Sequence, residues 1–122
     1  MTLRTILTAF IALLFASSAH ATVSLDFKAG DYNLNMTVSL KTMSIVDPIY
    51  FASAQTSSPI GIRQKQFSTF RYDINHKYFK AVFVNSNDTT MPQSFSVIVR
   101  GKKGVFNIDG KRISFLADWR GL

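Results

Sequence analysis

Apolar and polar residues alternate along most of the chain, beginning with Val23, Leu25 and Phe27 against Ser24, Asp26 and Lys28. A period of two sends successive side chains to opposite faces of an extended strand, whereas a helix would repeat about every 3.6 residues. After Ala29-Gly30-Asp31, which reads as a turn, Leu34, Met36, Val38 and Leu40 alternate with Asn33, Asn35, Thr37, Ser39 and Lys41. The pattern predicts two strands, each with one apolar and one polar face. Met43 to Ala54 is apolar but broken by Asp47-Pro48, which predicts one or two short strands at a bend. Gln55 to Pro59 is a polar loop.

Alternation returns in Ile60 and Ile62 and again in Phe70, Tyr72 and Ile74, with Phe67 out of phase. That slip predicts a bulge near Gln64 to Ser68, or two strands in place of one. Asn75-His76-Lys77 is the expected turn into Tyr78 to Val84, which is partly apolar on both faces, as in a central strand. Asn85 to Pro92 is the longest polar loop and the segment expected to move most. Phe95, Val97 and Val99 form the next strand, Gly101 to Gly104 turns it, and Asp109-Gly110 suits a two-residue type I′ hairpin. With those two as loop residues, Phe106 lies opposite Ile113 and Arg112 opposite Asn107, with Ile108 and Phe115 on the Phe106 side. The last strand continues through Ala117 and Trp119.

This reading has seven or eight short strands, no amphipathic helix and no internal repeat. The expected fold class is all-β: a single antiparallel β-sandwich of immunoglobulin-like size, or a small barrel, over residues 22–122. A transmembrane barrel is disfavoured, since eight tilted strands of about 9–11 residues would consume nearly all of that length.

The first residues follow another pattern. Arg4 is the one charge before Asp26; Ile6 to Phe15 is apolar apart from Thr8, and the small residues Ala16 to Ala21 follow, interrupted by His20. That order is expected of a signal peptide, residues 1–21, with Ala19 and Ala21 at the two positions that must be small and cleavage before Thr22. The apolar run reaches about half of the roughly 20 residues that a membrane-spanning helix needs. The expected localisation is therefore periplasmic or secreted. The chain has no cysteine, which excludes disulfides, thiolate metal sites and cysteine nucleophiles. With 47% hydrophobic residues it can hold a core without them.

Charge narrows the partners. Loss of Arg4 with the leader lowers fourteen Lys and Arg to thirteen, against seven acids that are all aspartate, for a net charge of +6. An exported cation meets anionic lipid head groups, acidic glycans or envelope proteins, and nucleic acid is not an expected partner. The segment GKKGVFNIDGKRISF, residues 101–115, carries Lys102, Lys103, Lys111 and Arg112, with Arg100 and Arg120 close in sequence. These six are the candidate residues for binding an anion or a partner, because clustered charge at turns steers anions. The same cations also suit turns and edge strands that must stay soluble. A second basic and aromatic segment, Arg63 to Lys80, interleaves cations with Phe67, Phe70, Tyr72, Tyr78 and Phe79, whose rings are mostly expected in the core.

Catalysis has little to build on. His76 near Asp73 is one ingredient of acid–base chemistry, but no Gly-x-Ser-x-Gly elbow, His-x-x-x-His pair or glycine-rich phosphate loop accompanies it. The aspartates are dispersed, so no metal and no cofactor is expected. The expected function is a non-catalytic binding module of the cell envelope that holds an anionic component or a protein, with peripheral membrane contact. Two alternatives stand beside it. One is a fimbrial type of subunit, assembled into a surface fibre by strand addition, with Val23 to Phe27 or Ile113 to Trp119 as the exchanged edge. The other is a small inhibitor or immunity protein that blocks a partner enzyme.

Overall fold

The computed structural model describes residues 22–120; the signal-peptide reading of residues 1–21 lies outside them. The protein is all-β, and its strands are β1 (Thr22–Ala29), β2 (Tyr32–Ser39), β3 (Ser44–Ala52), β4 (Ile60–Ile62), β5 (Thr69–Asp73), β6 (Tyr78–Phe83), β7 (Phe95–Arg100), β8 (Lys103–Ile108) and β9 (Lys111–Trp119). The count is nine rather than seven or eight. The extra strand comes from the phase slip before Phe67. A 3-10 turn, Gln64–Gln66, divides that run into β4 and β5, and β4 is too short to show a period of its own.

All neighbours are antiparallel, and the strands form one curled sheet in the order β4-β3-β2-β1-β9-β8-β7-β6-β5. Each of β1 and β9 therefore has a neighbour on both sides. The edges are β4 and β5, consecutive in the chain and joined through the 3-10 turn. The β1–β9 ladder is short, pairing only Leu25 with Trp119, Asp26 with Asp118 and Phe27 with Ala117.

β3 runs unbroken through Asp47-Pro48, but its register against β2 shifts there. Val46 pairs with Thr37 and Tyr50 with Asn35, so Asp47, Pro48 and Ile49 together oppose Met36. Proline offers no N–H to a ladder, and a bulge is where a strand tolerates that loss. The bulge is tied to the 3-10 turn: the Gln64 backbone N–H donates to Asp47 Oδ1 at 2.8 Å, and Gln64 Nε2 donates to the Ile45 carbonyl at 2.8 Å.

The curl brings β1–β3 over β6–β8, and the alternating apolar positions fill the space between them. Phe51 stacks on Phe95 with centroids 5.3 Å apart, Tyr32 meets Phe106 at 5.4 Å, and Phe27 meets Phe79 at 5.7 Å. Phe67, out of phase in the sequence, sits just after the 3-10 turn and packs on Phe70, Phe83 and Phe95. The hairpin β8–β9 has the expected register, Phe106 with Ile113 and Asn107 with Arg112. Its loop residues Asp109 and Gly110 both have positive φ, 51° and 74°, as a type I′ turn requires. Trp119 closes the far end by donating from Nε1 to the Gly101 carbonyl at 2.7 Å.

Candidate anion-binding face

Residues directly opposite each other in a ladder share a face of the sheet, so register decides which cations meet. The six candidates do not form one cluster. Arg100 ends β7, Lys102 lies in the following turn and Lys103 opens β8, whereas Lys111 pairs with Ile108 and Arg112 with Asn107 at the other end of β8. Five steps along a strand separate Lys103 from Ile108, about 17 Å. The two turns carry cations to opposite ends of the same hairpin.

Arg120 is committed elsewhere. Asp26 and Asp118 oppose each other directly across the β1–β9 ladder, and like charges so placed repel. Arg120 lies between them, with Nε 2.6 Å from Asp118 Oδ2 and Nη2 3.7 Å from Asp26 Oδ2. Asn35 adds an amide N–H to Asp26. The hydrogen bond to Asp118, then the charges of Asp118 and Asp26, raise the pKa of this guanidinium further. Arg120 is thus a clasp across the junction of the terminal strands.

The remaining cations find new company. Arg71 on β5 is directly opposite Lys80 on β6, and Arg100 on β7 is directly opposite Lys103 on β8. Buried Phe79 and Ala81 flank Lys80, and buried Val99 precedes Arg100, so these side chains point away from the core. Along one row of this outer face run Asp73, Tyr78, Arg100, Lys103 and Leu116. Along the next run Arg71, Lys80, Ile98, Val105 and Ser114. Strands lie about 4.8 Å apart and alternate residues about 7 Å, so the backbone positions of the four cations fall within roughly 15 Å.

Among the described residues, none of Arg71, Lys80, Arg100 and Lys103 makes an ion pair with a carboxylate. Arg100 instead lies over the Tyr78 ring, with Cζ 5.5 Å from its centroid, a cation–π arrangement. Apolar side chains are interspersed with the charges. Ile98, Val105 and Val82 are half-buried on this face, and Leu116 is 76% exposed.

Arg71 and Lys80 do not stand out in the sequence, where they look like two more cations in an aromatic segment. Their register was nevertheless implicit in the turn. Asp73 pairs with Tyr78 at the mouth of the hairpin, and two steps back from that pair are Arg71 and Lys80.

The His76 and Asp73 pair is real and local. His76 Nδ1 is 2.7 Å from Asp73 Oδ2, with side chains 81% and 51% exposed. The same carboxylate caps the 3-10 turn Ile74–His76 by accepting from the His76 backbone N–H. The side-chain hydrogen bond from His76 is the main cause holding the Asp73 carboxyl below its ordinary pKa. No group of three or more metal-ligating side chains occurs among the described residues.

The loop after β6 is internally tied. Asn85 Nδ2 donates to the carbonyls of Asp88 at 2.8 Å and Pro92 at 2.7 Å, while its Oδ1 accepts from the backbone N–H groups of Asn87 and Asp88. Asp88 accepts from the Thr90 hydroxyl and backbone N–H, and chiefly the hydroxyl lowers its pKa. One amide side chain therefore organises a segment whose polarity alone suggested mobility.

No protein-family model matches this chain, and neither a curated protein nor a solved structure matches it.

Proposed function

We propose that the protein is an exported, non-catalytic binding module that lies against an anionic lipid surface through the outer face of β5–β9. The observation that carries this reading is the pairing of like charges, Arg71 with Lys80 and Arg100 with Lys103, on adjacent strands, none of the four in an ion pair with a carboxylate among the described residues. Opposed cations cost a sheet stability, so the fold does not require them. Protection of an exposed edge covers Arg71 on β5, but Lys80, Arg100 and Lys103 lie on interior strands that have no edge to protect.

The apolar residues favour lipid over glycan. Ile98, Val105 and exposed Leu116 sit among the cations, and Tyr78 presents a ring beside Arg100. A surface that reaches phosphates with its cations and the acyl boundary with its aliphatic side chains suits a membrane interface. We read the curled sheet as a sandwich whose layers, β1–β4 and β5–β9, are joined at the short β1–β9 ladder, leaving this outer face free.

Strand addition is less well supported, because β1 and β9, the strands expected to exchange, both lie inside the sheet. The test is co-sedimentation with vesicles. Binding to vesicles containing phosphatidylglycerol, absent with phosphatidylcholine alone and released by salt, is the expected result. Retention on an acidic glycan resin with no vesicle binding would replace lipid by glycan as the partner.

A further inference from the structure

A concavity lies away from the cationic face, at the end of the sheet that carries the Asp109-Gly110 turn. It is a cleft of about 420 Å³ between the end of β3 and the start of β9, walled by the loop after β6. Its apolar lining includes Tyr32, Phe51, Ile60 and Met91. Tyr32 is held against Phe51 and Phe106, with centroids 6.1 and 5.4 Å away, so its ring has a fixed orientation.

Both walls are built before any ligand arrives. On one side the Ser53 N–H donates to Thr56 Oγ1 at 3.0 Å, and the Thr56 hydroxyl and N–H return to the Ser53 carbonyl. On the other, Asn85 ties down the segment that presents Thr89, Met91 and Gln93. A preformed wall spares a ligand the entropy of ordering it.

The rim decides the class of ligand. Gln55, Thr89 and Gln93 offer uncharged donors and acceptors, and Asp109 and Lys111 add one charge of each sign. That balance does not favour a net anion, in contrast to the outer face of β5–β9. An aromatic ring with neighbouring apolar side chains, in a cleft also lined by amides and hydroxyls, matches a molecule with one apolar face and a polar circumference. A pyranose ring has that shape, and the volume lies within the range of small-molecule sites.

We propose that this cleft binds an uncharged sugar of one or two rings, with Tyr32 as the platform and Gln55 and Gln93 as polar contacts. Lys111, first considered as part of a basic patch, belongs to this rim.

The test is backbone amide NMR of the full chain titrated separately with N,N′-diacetylchitobiose, maltose and laurate. Saturable shifts with at least one disaccharide are expected, confined to Tyr32, Ser53–Ile60, Thr89–Gln93 and Asp109–Lys111. Gln55 and Gln93 are exposed, so Gln55→Ala and Gln93→Ala should weaken that binding at least fivefold without changing the melting temperature. Absence of saturation with both sugars, or shifts on the outer face of β5–β9 instead, would overturn the assignment. Tighter cleft binding of laurate than of either sugar would also overturn it, by making the ligand an apolar anion. Vesicle binding is read independently, since neither glutamine lies on the cationic face.

Discussion

Gly104 provides a sharp test of how the β8–β9 hairpin packs. Its φ is not positive, so its role is space rather than backbone freedom. A Cβ built at Gly104 would lie 2.3 Å from both Cε1 and Cζ of Phe115 and 2.5 Å from Cε2. Carbon atoms in contact normally stay about 3.5–4.0 Å apart, so the ring would have to retreat by more than about 1 Å. It cannot do so freely, because Phe27 lies behind it with centroids 5.9 Å apart, and Phe27 also packs on Phe79 and Trp119. Overpacking of this kind costs about 1–3 kcal/mol. Without the clash, replacing a glycine by alanine would stabilise by about 0.4–1 kcal/mol through the unfolded chain, so the sign of the effect is informative. Gly104→Ala is expected to destabilise by about 2 kcal/mol, a fall in melting temperature of roughly 8–16 °C for a domain of this size. Urea unfolding of the single variants and of Gly104→Ala with Phe115→Leu would measure the coupling. The smaller leucine should remove most of the penalty, giving a coupling above about 1 kcal/mol. A neutral or stabilising Gly104→Ala, additive with Phe115→Leu, would refute this packing.

Arg120→Ala should leave Asp26 and Asp118 opposed, lowering the melting temperature by roughly a few degrees at low salt, with the difference shrinking in about 1 M salt. Adding Asp118→Asn should restore most of the loss, and scanning calorimetry at two salt concentrations reads both effects. Asp73 titrates below its ordinary value in the folded protein, so its contribution is present above the usual carboxylate pKa of 3.8 and disappears as pH falls through the lowered one. Asp73→Asn should therefore be less stable than the wild type by a constant amount above pH 3.8, with the difference vanishing as pH falls through the lowered value, so that part of the acid limb of a stability-versus-pH curve flattens. Asn85→Ala should cost about 1–2 kcal/mol and speed amide hydrogen exchange through Asn87 to Met91, because several hydrogen bonds converge on that one side chain.

Much of the fold was readable from periodicity, because each strand buries one face. The alternation of Val23, Leu25 and Phe27, of Leu34, Met36 and Val38, and of Phe95, Val97 and Val99 defined inward faces that the core now occupies. The type I′ signal of Asp109-Gly110 was strong enough to place Arg112 opposite Asn107. Periodicity could not count strands where an element was as short as Ile60–Ile62, nor foresee that β3 would carry Asp47-Pro48 as a bulge. It was also silent on which strands meet across the curl, a tertiary matter of register and sheet order. That is why the sequence groups cations that the sheet separates. Adjacency in sequence linked Lys103 to Lys111, whereas the sheet links Arg100 and Lys103 to the β5–β6 hairpin carrying Arg71 and Lys80. Arg120 was grouped with the candidate binding cations because Asp26, one of the two aspartates it joins, is distant in sequence. Polarity suggested a mobile Asn85 to Pro92 loop, and only side-chain geometry reveals the bonds that tie it.

The most direct measurement compares vesicle affinity of the wild type with two variants that lose equal charge. One carries Ser at Arg71, Lys80, Arg100 and Lys103; the other carries Ser at Lys41, Arg63, Lys65 and Lys111, which are exposed outside that face. Each basic side chain near an anionic surface contributes about 1 kcal/mol, so the first variant should bind phosphatidylglycerol vesicles two to three orders of magnitude more weakly and lose most of its salt dependence. The second should stay within about tenfold of the wild type. Equal losses in the two variants would contradict the assignment, because binding would then follow net charge alone and the outer face of β5–β9 would have no special part in it.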